Sequence, residues 1–207
     1  MKEIFILRHG ETEWNVEMRM QGRLDSPLTE NGKAQAGSNG VLLKSLGEFG
    51  RLYVSPSGRT RETAAIVNAQ LQAEVALFDS LMERDVGRWS GLTVSEIEIK
   101  YPRAWATRQA DPYGFRPPDG ENLDDMLERV QETLEEIYLS EPARVGIVTH
   151  GVMSKVILKY FLNLEPAETQ AIRHPNNLVY RLTFHRNEID TQHFLDGRLV
   201  SEGLYLG

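Results

Sequence analysis

The chain has no cysteine in its 207 residues. That excludes a disulfide framework, thiolate chemistry and zinc–sulfur sites. It also lacks any apolar run near the ~18 residues that crossing a membrane takes. Met1-Lys2-Glu3-Ile4 leads straight into an apolar segment without the pattern of a secretion signal. A cytoplasmic protein with no membrane partner is the expectation. A surplus of positive charge is missing too, since the net charge is −7. This argues against a nucleic-acid partner, which basic patches recruit. It leaves room for a small anionic ligand, because a few arginines in a cleft can set the local potential. No repeat or low-complexity segment appears, and the length suits a single domain, 1–207, with an inserted subregion.

Two short apolar runs each end at a histidine followed by glycine: Ile4-Phe5-Ile6-Leu7-Arg8-His9-Gly10 and Val145-Gly146-Ile147-Val148-Thr149-His150-Gly151. Such runs predict fully buried strands of a parallel sheet. Ligands of open α/β sheets bind just beyond the carboxyl ends of strands, where both histidines would stand. The remaining pattern predicts a strand at 3–8, a loop at 9–28 and a helix at 30–46 capped by Thr29. A strand at 52–54, a helix at 59–72 and a short strand within 73–78 follow. Segment 82–122, rich in Gly and Pro, is the candidate cap, with one short helix near 94–101. Leu123, Met126, Leu127, Val130, Leu134 and Ile137 recur at helical spacing behind the N-cap Asn122, which predicts a helix over 123–139. A strand at 145–149 and a helix at 152–162 come next. Leu178–Phe184 alternates and predicts a half-buried strand, and Asn187 turns it into a last strand near 189–194. The whole predicts an α/β fold: three layers, helices either side of a mostly parallel mixed sheet with an antiparallel edge, plus a small cap insertion.

His9 lies between Arg8 and Glu11-Thr12. A neutral imidazole is a good nucleophile near neutral pH, and neighbouring cations favour its neutral form. It could attack phosphorus and carry the phosphoryl group. Phosphoryl transfer needs its non-bridging charge neutralised, which arginine does well. Arg8 is one candidate. Arg59 is another, opening a helix after the strand at 52–54, where a helix N-terminus also attracts anions. Arg59 and Arg61 could equally be solvated helix-start residues. The leaving oxygen needs a proton, and Glu83 could supply it as a general acid. A surface salt bridge from Glu83 to Arg84 or Arg88 is the alternative.

The sequence resembles the histidine phosphatase superfamily, which includes the cofactor-dependent phosphoglycerate mutases. The resemblance rests on five ordered blocks across residues 4–151: Leu7-Arg8-His9-Gly10-Glu11-Thr12; Gln21 to Thr29 with Asn31-Gly32; Ser55-Pro56 through Arg59 to Glu62-Thr63-Ala64; Glu83 with Gly87, Trp89 and Gly91; and Val148-Thr149-His150-Gly151. It implies that His9 is the phosphorylated nucleophile and that Arg8, Arg59 and His150 form the phosphate pocket, with His150 cationic when phosphate is bound. Glu83 would be proton donor and then the base that activates water. Asn15 and the backbone around Gln21, Gly22 and Gly151 would complete the anion contacts. Gly58 departs from the family's bulkier residue and suggests a loosened loop before Arg59. Asn122 stands where the family often has Ser and caps equally well.

The spacing of Glu83, Gly87, Trp89 and Gly91, with Pro117-Pro118-Asp119-Gly120-Glu121, resembles the phosphatase branch. The implied function is hydrolysis of small phosphomonoesters with neither metal nor cofactor. The alternatives are a phosphoglycerate mutase, primed by a bisphosphorylated compound, and a non-catalytic phospho-ligand binding module. Arg84, Arg88, Arg103, Arg108 and Arg116 make the cap basic in places. His174, His185 and His193 lack metal-ligand spacing and are expected at the surface, although the loop after His174 could reach the site. Leu178–Phe184 is either an edge strand that pairs two copies into a homodimer or a covered strand.

Overall fold

The computed structural model describes residues 1–186 and 188–206. In chain order these form β1 (Lys2–Arg8), α1 (Glu13–Val16), α2 (Glu30–Leu46), β2 (Arg51–Val54), α3 (Gly58–Leu71) and β3 (Glu74–Leu77). Then come α4 (Val94–Lys100), α5 (Pro102–Ala110), α6 (Leu123–Leu139), β4 (Arg144–Thr149) and α7 (Gly151–Leu162). The chain continues through α8 (Pro166–Ala171), β5 (Leu178–Phe184), β6 (Ile189–Leu195) and β7 (Arg198–Glu202).

The strands build one mixed sheet in the order β3-β2-β4-β1-β5-β6-β7. The first four in that order run parallel, and β5, β6 and β7 continue it antiparallel. Successive strand side chains point to opposite faces, so β1 feeds two cores. Ile4 and Ile6 pack with Met126, Val130, Leu134 and Val156 of α6 and α7. Phe5 and Leu7 pack with Ala36, Leu43 and Val67 of α2 and α3. Burial on both faces explains why β1 and β4 are uninterrupted apolar runs. Segment 82–122 has a small core of its own, in which Val86, Trp89, Ile97 and Phe115 meet.

The register of the two central strands positions the histidines. Leu7 pairs with Val148 and Arg8 with Thr149, and His9 N–H donates to Thr149 O at 2.9 Å. The residues that follow, His9 and His150, therefore leave adjacent strands at the same sheet edge.

Several elements differ from the sequence expectation. The loop at 9–28 contains α1, closed by a reciprocal capping box between Thr12 and Asn15. The cap holds two helices rather than one, because Pro102 opens α5 at its first position, where a missing N–H costs nothing. α8 was not expected, and β6 is not the last strand, since β7 follows it. β5 is neither an edge nor half-buried: it lies between β1 and β6 and is buried along both faces. The expected turn at Asn187 lies outside the described residues. His185 is exposed, but His174 and His193 are buried rather than superficial.

Candidate active site

The two histidines sit where β1 and β4 end, Arg59 opens α3 after β2, and Glu83 follows the turn beyond β3. His9 follows β1 and is 3% exposed. Its Nδ1–H donates to Gly10 O at 2.8 Å. A carbonyl can only accept, so this bond places the ring proton on Nδ1 and leaves the Nε2 lone pair free. Burial, then Arg8, then Arg59 hold the His9 imidazole well below its ordinary pKa, so it is neutral at pH 7. His150 follows β4 and is fully buried. Its ring meets that of His9 edge to face at 5.4 Å. Burial and the charges of Arg59, His9 and Arg8 push it down as well. Its Nε2 is hydrogen-bonded to Ser55 Oγ at 2.8 Å.

The arginines are fixed by carbonyl oxygens more than by acids. Arg8 Nη1 donates to His174 O at 2.9 Å. Gly151 lets the Arg8 guanidinium come close, since a Cβ there would stand 3.3 Å from Arg8 Cζ. Arg59 is 1% exposed. Its guanidinium donates to Leu24 O at 2.6 Å, Gly22 O at 2.9 Å and Asp25 Oδ1 at 2.9 Å. The solvated alternative for Arg59 is therefore overturned, while Arg61 is exposed. Gly58 tightens this contact rather than loosening it. A Cβ at Gly58 would stand 2.1 Å from Asp25 Oδ2, so only glycine lets Asp25 lie against the start of α3. Arg8 Nε, Arg59 Nε and His150 Nδ1 are buried with no hydrogen-bond partner among the described residues. Three orphaned nitrogens in mutually interacting side chains suit an oxyanion.

Glu83 makes neither of the alternative salt bridges. Arg84 reaches Phe115 O and Glu121 O instead, and Arg88 pairs with Asp119. The Glu83 carboxylate accepts from Arg84 N at 2.9 Å and from Val152 N and Met153 N, both at 3.1 Å. The last two are unpaired donors of the first turn of α7, which attracts an acid. Glu83 thus stands beside His150 and Gly151, tied to the same helix start.

The remaining expected residues hold the loop together. Asn15 closes the α1 capping box, and Gln21 Nε2 donates to Thr12 Oγ1 at 2.8 Å. Gly22 takes a positive φ of 53°, and its carbonyl receives Arg59. Glu121 accepts from Arg129 and Arg23 and from Asp85 N, a bracing role for the cap. Two residues of the surroundings, Ser55 and Asp25, had been given no role. The loop after His174 does reach the site as expected, through Asn176, whose amide donates to His9 O at 2.8 Å. Ser55 had a signal, since it follows β2 at the same sheet edge as the histidines.

A mixed α/β sheet with two buried histidines and two arginines at neighbouring strand ends defines a class, and the chain belongs to it: the histidine phosphatase superfamily (branch 1), whose family model matches residues 4–196. The chain is 32% identical to the probable phosphoglycerate mutase GpmB of Cronobacter sakazakii over 191 residues, which cover 90% of this chain and 87% of that protein. Among solved structures, Bacillus stearothermophilus YhfR superposes with a TM-score of 0.85 at 32% identity, covering 97% of this chain and 98% of that one. A mycobacterial glucosyl-3-phosphoglycerate phosphatase gives a TM-score of 0.82 at 27% identity, covering 96% of this chain and 100% of that one.

Proposed function

We propose that this protein hydrolyses small phosphomonoesters through a phosphohistidine on His9. The observation that carries the reading is the Nδ1–H to Gly10 O bond, which leaves a free Nε2 lone pair among Arg8, Arg59 and His150. In the first step Nε2 attacks phosphorus, the ester P–O bond breaks, and Glu83 gives a proton to the departing oxygen. In the second step Glu83 takes a proton from water, the water oxygen bonds to phosphorus, and the P–N bond breaks to release phosphate. Arg8 and Arg59 hold the non-bridging oxygens throughout. His150 takes up a proton at Nδ1 when the dianion enters and donates to it. The backbone near Gln21, Gly22 and Gly151, with Asn15, completes the pocket, and segment 82–122 caps it within a single domain. No metal or cofactor takes part in these steps.

Similarity to a glucosyl-3-phosphoglycerate phosphatase supports hydrolysis. The relatives named as probable phosphoglycerate mutases favour a second reading, in which a substrate hydroxyl replaces water. Phosphate release from a panel of phosphomonoesters, with chelator present and His9→Ala in parallel, separates them. Hydrolysis predicts rapid, His9-dependent release without a primer. Interconversion of phosphoglycerates that needs a bisphosphoglycerate primer, with little release, would replace it with the mutase reading. Release that survives His9→Ala would overturn both.

A further inference from the structure

Glu83 sits on backbone that has no regular structure to keep its shape, since residues 82–86 lie outside every helix and strand. The stretch is nevertheless held at almost every residue. Arg129 of α6 grips it from below: Nη1 donates to Ser80 O at 2.6 Å and to Met82 O at 3.2 Å, and Nη2 donates to Met82 O at 3.2 Å. Between these two carbonyls, Leu81 O accepts from Thr149 Oγ1 at 2.8 Å. The rest of the Arg129 fork meets Glu121, Nε to Oε1 at 2.9 Å and Nη2 to Oε2 at 3.1 Å. Glu121 then takes the far side of the stretch. Its Oε2 accepts from Asp85 N at 2.8 Å, its N–H donates to Asp85 O at 2.8 Å, and its carbonyl accepts from Arg84 Nε at 2.7 Å.

The residue before Glu83 is thus fixed by Arg129, and the two after it by Glu121. Both side chains are largely buried, at 19% and 16% exposure. Burial alone would raise the Glu121 carboxyl, but Arg129, the Asp85 N–H and Arg23 outweigh it and hold it below the usual carboxylate range. The other arginines of the region are spent more simply. Arg88 pairs with Asp119 and Arg116 with Asp125, while Arg84 ends on Phe115 O and Glu121 O. The basic cap expected from sequence is thereby corrected. An arginine that only pinned α6 to the cap would need one carboxylate. Arg129 instead spreads a rigid fork over both Glu121 oxygens and two carbonyls leading to the acid. Proton transfer demands hydrogen-bond reach of the leaving oxygen, and small misplacements there are costly.

We propose that Arg129 and Glu121 are a positioning pair for Glu83, clamping the backbone on either side of it so that its carboxyl meets the leaving oxygen. Neither touches the reacting atoms. The role in turnover rests on Glu83 being the proton donor.

Two esters and two variants test it. Glycerol 3-phosphate expels an alkoxide that needs a proton, whereas p-nitrophenyl phosphate expels a phenolate that leaves unaided. In Arg129→Met, kcat/KM is expected to fall about tenfold or more on the first and less than about threefold on the second. Arg129→Lys, which cannot span all partners at once, should fall between wild type and Arg129→Met. It also keeps the test open should Arg129→Met fail to fold. Losses equal on both esters, or no loss, would overturn the pair, provided that Glu83→Gln itself discriminates between the esters. If Glu83→Gln does not, or if neither ester is turned over, the proton-donor reading fails, and amide hydrogen exchange decides the clamp alone. Val152 N and Met153 N are bonded to the Glu83 carboxylate, while Arg129 makes no hydrogen bond to α7 among the described residues. Exchange at these two amides is expected to quicken about fivefold or more in the Arg129 variants, with Ile157 further along α7 unchanged. Unchanged exchange at Val152 and Met153, or equal quickening along the whole helix, would overturn the clamp.

Discussion

Arg59 shows how much of the site depends on a residue that does no chemistry. Asp25 receives both the backbone N–H and Nη1 of Arg59, and the missing side chain of Gly58 makes room for it. The Asp25 carboxylate is 43% exposed, so a methyl at Gly58 would push it into solvent and leave the fold intact. Half-exposed ion pairs contribute up to about 1 kcal/mol. Gly58→Ala is therefore expected to lower kcat/KM roughly 3–10-fold with little change in thermal midpoint. Asp25→Ala should give the same loss, and the double variant no more than either single one. Additive losses in steady-state kinetics would show that Gly58 acts independently of Asp25. The sequence marks Gly58 as a departure without revealing its sense, because Asp25 is distant along the chain. His9, Arg8, Glu83 and His150 were legible for the opposite reason: each follows a local apolar run.

Among the elements, the loop between α8 and β5 holds the pocket from behind. It supplies His174 O to Arg8 and the Asn176 amide to His9 O. The C-terminal segment ties this loop down. Tyr180 of β5 donates to Arg173 O at 2.7 Å and accepts from Tyr205 N at 3.2 Å, while Arg173 N donates to Tyr205 O at 2.8 Å. Tyr180→Phe removes the shared hydroxyl and with it a partner of the half-buried Arg173 O and Tyr205 N, at a cost of about 1 kcal/mol. Urea unfolding is expected to show that loss, and KM for phosphate esters should rise more than kcat falls, because the loop anchors Arg8, the arginine proposed to bind phosphate. An unchanged KM would separate the loop from the pocket. This tie was not legible in sequence. Short segments such as α8 and β7 have little periodicity, and the two buried histidines pack against residues the sequence does not place beside them, His174 against Tyr180 and His193 against Gly203 and Tyr205. α5 was missed because Pro102 reads as a break, yet it occupies the one helical position that tolerates it.

At the scale of the whole molecule, the sheet order could not be read from periodicity, since the adjacency of β1 and β4 is a pairing across 140 residues of chain. The alternation of strands and helices and the apolar character of the central strands were legible, because burial on both faces is written locally. Assembly places three neutral histidines in the interior, and stability must answer to pH. His9, His150 and His174 all lie below their ordinary value, foremost through burial, His174 at about 3. Unfolding frees them to take protons below about pH 6.5, so the unfolded state then binds more protons and stability falls as pH falls. Each contributes about 1.4 kcal/mol per pH unit once below that point. Stability at pH 5.5 is expected to be roughly 4 kcal/mol below that at pH 7.5, ahead of carboxylate titration. A flat urea midpoint across this interval would contradict the neutral, buried histidines.

The central claim is that His9 carries the phosphoryl group. Rapid acid-free quenching of the enzyme with a phosphomonoester, followed by intact-mass and peptide mass spectrometry, tests it most directly. The account predicts one added phosphoryl group on His9, stable to base and labile to acid, absent in His9→Ala and longer-lived in Glu83→Gln. Turnover with no phosphoenzyme at any quench time in Glu83→Gln, or with the label on another residue, would contradict it.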